Sequence, residues 1–427
     1  MSKPLHKKKQ NVGHTPKKTA PLSKEQLWSR AICANANGKG TALGLALLGP
    51  LTTPQDLLLT AATNQNPQCV LAAEQIIHLV EGWRYASAAT SAYLTHANAA
   101  ATHLAYYAEL RAAMSLFAWS GIRAKWHGYY YLDSNGTKQL PAATNPPTHT
   151  GIWALWNEWV TRPDIKTLLS QSIKLHPAIT FDKVVKAINF AQPGQALKSW
   201  GADLLNISDD HAARNAASYN ATWIDTPLSQ MKEEEAEIVR ELWQLLLSDG
   251  SSLGFDSSLC SHFAEQAVER THIIAGKSRD DIRLNIAQHI SNNTGLPVDD
   301  VLRRLDPTLY SSRPFLLAAS ADTKPQNVLC RSFLLLRMAL LAMKTSLSLP
   351  SIPETAKKWL ENWLEHAGIW SAGTGMDLLD IEIDYRDAVS DLEVARPLPA
   401  TLWQGENSTH IMRIARPDAC IAWSLVA

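Results

Sequence analysis

The sequence predicts a mainly α-helical protein: a multi-helix bundle body with a small β-containing appendage at its C-terminal end. Three observations carry this expectation. Apolar residues recur at three- and four-residue steps through most of the 427 positions. An apolar share of 46% against 19% charged supplies a large interior and argues against a disordered, collagen-like or rod-like chain. The clearest period-two alternation lies beyond residue 370.

The first 24 residues hold seven of the 40 basic residues (Lys3, Lys7, Lys8, Lys9, Lys17, Lys18 and Lys24) and no acid. The remainder therefore sets 33 basic against 40 acidic residues. Such a segment buries too little apolar surface to offset its ordering entropy, so residues 1–24 are expected to be a disordered basic tail. Lys7, Lys8, Lys9, Lys17 and Lys18 are its candidate contacts to nucleic acid or to an acidic partner; the plainer reading is a solubilising tail. No signal-type apolar core precedes residue 41, and Thr41–Leu48 is far shorter than the ~20 apolar residues of a membrane span. Five scattered cysteines without a CxxC pair fit a reducing compartment. A soluble, cytoplasmic protein away from membranes is expected.

Behind the tail, residues 25–248 read as a first helical domain and 249–370 as a second helical region. From His103 to Phe117, the side chains of His103, Tyr106, Tyr107, Leu110, Met114 and Phe117 form one stripe. Trp153, Trp156 and Trp159 sit three apart, and this spacing favours core packing over a stacking platform. Residues 230–248 start acidic, as suits a helix N-terminus, and stop before Gly250. Ile282, Ile286 and Ile290 mark a helix over 280–290. Phe333–Met343, interrupted by Arg337 and edged by Arg331 and Lys344, reads as a buried central helix. Ser351-Ile-Pro-Glu354 is a capping box opening a helix with Trp359, Trp363, Ala367 and Trp370 on one side. Turn formers cluster at 133–150 and 249–258. Residues 371–427 read as the appendage, with a strand at Asp380–Tyr385 and a compact apolar run at Ala419–Val426.

Common enzyme signatures are missing. Asn37-Gly-Lys-Gly-Thr41 lacks the spacing of a phosphate-binding loop, and no HExxH, GxSxG or kinase set is present. On a strand, Asp380, Glu382 and Asp384 would share a face able to hold Mg²⁺; an acidic face that blunts a sheet edge is the plainer reading. Arg283 and His289 make an arginine–histidine pair at a spacing that chance supplies. No metal or cofactor is expected.

Two helix motifs carry the best lead: His103-Leu-Ala-Tyr-Tyr-Ala-Glu-Leu-Arg-Ala-Ala113, running on to Gly121, and Arg214-Asn-Ala-Ala-Ser-Tyr219. Over about residues 70–225 they resemble the HEPN superfamily of helical prokaryotic domains. The resemblance implies a four- or five-helix bundle, often dimeric, found in defence and toxin systems and in many cases acting as a metal-independent ribonuclease. Catalytic members place a histidine four to six positions past an arginine and a polar residue. Here Arg214 and Asn215 fit the first two places, and Tyr219 stands where histidine belongs. Tyrosine, with a reference pKa near 10, is a poor proton carrier at neutral pH.

The expected function is therefore a non-catalytic binding or scaffold subunit of a bacterial multi-protein assembly, with antiviral defence as the context the resemblance implies. A protein partner or a second copy is expected, and nucleic acid is a candidate ligand. One alternative is an HEPN-type ribonuclease using Arg214, Asn215 and either Tyr219 or a remote histidine such as His211 or His127. The other is a nucleic-acid-binding protein that works through its basic tail and tryptophans.

Overall fold

Helix begins at Lys24, inside the stretch read as tail. Ser23 accepts from the Gln26 amide at 3.2 Å while the Gln26 side chain accepts from the Ser23 amide, a reciprocal cap. The computed structural model describes residues 22–49, 51, 53–125, 128–142, 145–188, 204–219, 233–249, 252–352, 354–371, 373, 377–394 and 412–426. Lys7, Lys8, Lys9, Lys17 and Lys18 lie outside the described residues, as does His127.

The amino-terminal half runs α1 (Lys24–Asn35), α2 (Lys39–Leu47), α3 (Pro54–Thr63), α4 (Pro67–Leu94), α5 (Asn98–Trp119), α6 (Thr148–Trp159), α7 (Pro163–Ser172), α8 (Phe181–Ala187) and α9 (Leu204–Tyr219). There follow α10 (Glu233–Leu246), α11 (Gly254–Ala275), α12 (Arg279–Thr294), α13 (Val298–Arg304) and α14 (Arg313–Ala319). The last long helices are α15 (Pro325–Leu347), α16 (Glu354–His366) and α17 (Leu378–Val394). The mainly helical class holds. Short antiparallel strands decorate it: β1 (Ile122–Arg123), β2 (Tyr130–Leu132) and β3 (Lys138–Gln139), with Ile122 opposite Tyr131 and Tyr131 opposite Gln139. Two further hairpins pair β4 (Lys174–His176) with β5 (Ile179–Thr180) and β6 (Ser248–Asp249) with β7 (Ser252–Leu253).

The centre is the antiparallel pair α4 and α5, joined by a tight turn in which His96 has φ 61°. Helix α15 lies across both, buried along nearly its whole length, as its apolar run requires. Helices α6 and α9 flank α5 on another side. The tryptophans serve this core: Trp156 and Trp159 are fully buried and stacked with centroids 5.0 Å apart, and Trp159 donates to Ser120 Oγ at 2.7 Å. At Gly44, a Cβ would collide with the backbone of Gln68, so glycine lets α2 pack close on α4.

The appendage differs from expectation. Among the described residues of 371–427 no strand forms, and Asp380–Tyr385 belongs to helix α17. Buried Ile381, Tyr385, Ala388, Val389 and Leu392 form a helical stripe that the six-residue alternation conceals. The three carboxylates accordingly diverge. Asp380 accepts from the Asp377 amide, Glu382 is buried against Ser248, and Asp384 pairs with Arg413 at 2.8 Å. The run 419–426 continues a 3₁₀ turn into a π-helical turn and docks in the core. Fully buried Asp418 accepts from Ser87 at 2.7 Å, and Trp423 donates to the Leu246 carbonyl at 2.8 Å. Near 249–258, β6 pairs with β7 and α11 starts at Gly254.

Two buried arginines of α15 hold the body together. The five N–H donors of Arg331 make five hydrogen bonds: two to the Asp210 carboxylate of α9, at 2.7 and 2.6 Å, and one each to the carbonyls of Ala318, Ser320 and Asp322. Glu109 of α5 is fully buried beside this pair, 3.8 Å from Arg331. Burial, reinforced by the Asp210 charge, pushes the Glu109 carboxyl far above the carboxylate range, so Glu109 is held as the neutral acid while Asp210 answers Arg331. One turn and a half further along α15, Arg337 clasps buried Asp256 of α11 at 2.9–3.1 Å. Removing one partner of such a pair leaves an uncompensated charge in the interior. Arg331→Leu should therefore destabilise the protein by about 3–5 kcal/mol in urea denaturation. A loss below about 1 kcal/mol, the range of a surface pair, would show that the network is dispensable.

Candidate functional site

Helices α5, α6 and α9 bring together residues far apart in sequence. Helix α5 presents His103, Tyr106 and Tyr107, α6 presents His149, and α9 presents His211, Arg214, Asn215 and Ser218. The buried Asp210–Arg331 pair fixes α9, and Arg214 follows Asp210 by four residues, one turn along the same side.

The Arg214 guanidinium is held by neutral groups. One Nη donates to Asn215 Oδ1 at 2.7 Å and the other to the Tyr107 hydroxyl, with the cation 5.1 Å over the Tyr107 ring. Its Nε–H is buried without an acceptor, and no described carboxylate forms a salt bridge with it. Three imidazoles surround this cation. His149 and His211 stack with centroids 5.0 Å apart and planes at 14°, and both stack on Tyr106. His103 lies 5.0 Å from Tyr107, which stacks on Tyr85 at 5.4 Å.

The hydrogen bonds assign tautomers. Tyr106 accepts from Trp153 Nε1 at 3.2 Å, so its hydroxyl proton goes to His149 Nδ1 at 2.9 Å. Ser218 donates to the Arg214 carbonyl at 2.8 Å, so it accepts from His103 Nδ1 at 2.7 Å. Asn215 sits 3.5 Å from His211 Nε2, a long contact. Each imidazole is thus accommodated in its neutral form. Burial first and the Arg214 charge second hold His103 and His211 below the usual histidine range. Burial, then His211 and Arg214, takes His149 down to about 4. At neutral pH the site offers one fixed cation and three neutral imidazoles, but no imidazolium to donate a proton.

Of the residues singled out in the sequence, Arg214, Asn215 and His211 meet here, and the stripe from His103 through Tyr107 supplies the facing wall. Tyr219 does not join them: it is 81% exposed at the end of α9. Arg283 is engaged by Glu265 at 2.8 Å on another face, and His289 is exposed. His149 was not legible, because it lies in the stretch read as a loop and its neighbours Tyr106 and His211 are 43 and 62 residues away in sequence. Among the described residues no group of three His, Cys, Asp or Glu could hold a metal ion, and no helix is long and apolar enough to cross a membrane. Comparison of the chain with protein families, characterised proteins and solved structures finds no match.

The lowered basicity of His149 ties stability to pH. Unfolded, it takes up a proton near its ordinary value of 6.5, whereas folded it resists protonation down to about 4. Its contribution is therefore complete above pH 6.5 and is lost as pH falls toward 4. The drop in melting temperature between pH 7 and pH 4.5 should be smaller in His149→Gln than in wild type. Parallel profiles would show that His149 titrates normally in the folded protein.

Proposed function

We propose that this chain is an RNA-binding subunit of a larger bacterial assembly, whose Arg214 site grips a phosphodiester without cleaving it at neutral pH. One observation carries the reading: Arg214 is a buried-edge arginine with a free Nε–H and no counter-charge, ringed by groups that cannot neutralise it. A phosphate oxygen supplies the missing acceptor and charge, and the planar fork of arginine suits it. The stacked Tyr85 and Tyr107 beside it offer ring faces to a neighbouring base. The HEPN resemblance points to the same pair of helices and to the defence context. Exposed leucines on α2 and α3 (Leu43, Leu47, Leu58 and Leu59) suit a protein partner. All five cysteines are free and buried, which fits a reducing cytoplasm.

A second reading, metal-independent RNA cleavage, is favoured by the His149–His211 stack. A bound phosphate would offset the Arg214 charge and raise both imidazoles, so that one could take a proton and the other give one. Tyr219, exposed at the end of α9, is assigned no part in either reading.

Fluorescence anisotropy with a short single-stranded RNA in EDTA tests both. Arg214→Ala should weaken binding about tenfold, or about 1.4 kcal/mol, and lower the salt slope by about one counterion, with the RNA intact. Unchanged affinity would remove the proposal. Cleavage that disappears in Arg214→Ala and in His149→Ala would establish the ribonuclease instead.

A further inference from the structure

A second polar cavity, about 420 Å³ in volume, opens on a different part of the molecule. It lies where the end of α7, strand β4, the β6–β7 hairpin, the first turn of α11, the last turns of α15 and the C-terminal π turn converge. That volume is in the range of sites for small metabolites. Its lining is cationic. Lys174, Arg337 and Lys344 face one carboxylate, Asp256, and that carboxylate is already clasped by Arg337 through both oxygens. Neither lysine forms a salt bridge with a described residue, so two positive charges remain unanswered. Lys344 is held below the usual lysine range by desolvation first and by the nearby Arg337, with Asp256 acting the other way and Lys174 adding a smaller push.

Two independent features point the same way. Ser424, 4% exposed, lines the cavity, and its Oγ is buried without a hydrogen-bond partner. A buried hydroxyl left unpaired costs about 1–3 kcal/mol unless a ligand or water satisfies it. The N-terminus of α11, a 22-residue helix without a side-chain cap, also borders the cavity, through Leu253 and Asp256. It adds the positive end of its dipole.

We propose that this cavity binds a small phosphomonoester of sugar-phosphate size, with Lys174 and Lys344 gripping the phosphate and Ser424 donating to it. Beneath it Asp256 is fully buried in its pair with Arg337, whose guanidinium faces the hydroxyls of the ligand as a donor. A dianionic end and a polar, uncharged body match a cavity with two unanswered cations and a paired floor. An apolar or cationic ligand does not.

Titration calorimetry of the full-length chain with ribose 5-phosphate tests this, with ribose and inorganic phosphate as companion probes. The expected result is one site per chain for ribose 5-phosphate, weaker binding of inorganic phosphate and none of ribose. Lys344→Gln and Lys174→Gln should each weaken ribose 5-phosphate at least tenfold while melting as wild type does, and Arg214→Ala should leave it unchanged. Absence of binding in wild type, equal binding of ribose, or undiminished binding in both lysine variants would overturn the proposal. Binding lost only in Arg214→Ala would place the ligand at the α5–α9 site, which overturns this proposal and leaves the RNA-binding reading standing.

Discussion

The Arg331 guanidinium is the joint on which the geometry of the body depends. It starts on α15, takes both carboxylate oxygens of Asp210 on α9, and takes three carbonyls from the end of α14 and the turn behind it. Glu109 of α5 closes the group as a buried, protonated acid. Four segments are thereby fixed in one place, in an interior where every N–H of the guanidinium has an acceptor. Such a cluster is not a strong source of net stability, since desolvation offsets most of its attraction. Its value is positional: α9 can dock only where Asp210 meets Arg331, and that sets where His211 and Arg214 fall.

The arginines of this protein divide by their partners. Arg331 and Arg337 face buried carboxylates, Arg123 is clasped by Glu74 at 2.6 Å, and Arg416 by Asp418 at 2.9 Å. Each is internally neutralised and holds elements together. Arg214 is held as firmly, by Asn215 and Tyr107, yet by groups without charge. A cation fixed in position with its charge unanswered costs the free protein stability and lowers the basicity of the histidines around it. On the proposed reading, an arriving anion recovers that cost. The cavity at Lys174 and Lys344 repeats the logic with a paired Asp256–Arg337 floor beneath unpaired lysines.

Much of this was legible in the sequence, and the exceptions have physical causes. The helical stripe of α5, the buried run of α15 and the tryptophan core follow from periodicity, which reports burial directly. Arg331 and Arg337 were visible as charges in an apolar run, and that signal alone demands buried acids; what sequence does not show is that Asp210 and Asp256 answer them, because pairing over 121 and 81 residues is set by tertiary packing. Asp380–Tyr385 looks like a strand because six residues of alternation also fit a helix in which Ile381, Glu382 and Tyr385 turn inward; extending the window to Leu392 reveals the helical step. In the site, Arg214 and Asn215 were found through a motif, His211 was named only as a remote histidine, and Tyr219 was carried in by the motif spacing although the end of α9 turns it to solvent. His149 had no local signal.

The central claim is that Arg214 is an unanswered cation whose charge, together with burial, keeps three histidines neutral until a phosphate arrives. Imidazole titration by NMR, with and without a short single-stranded RNA, addresses it most directly. The account predicts that His103, His149 and His211 all titrate below 6.5 in the free protein, His149 near 4, and that RNA raises all three. Ordinary histidine values in the free protein, or values that RNA leaves unmoved, would contradict it.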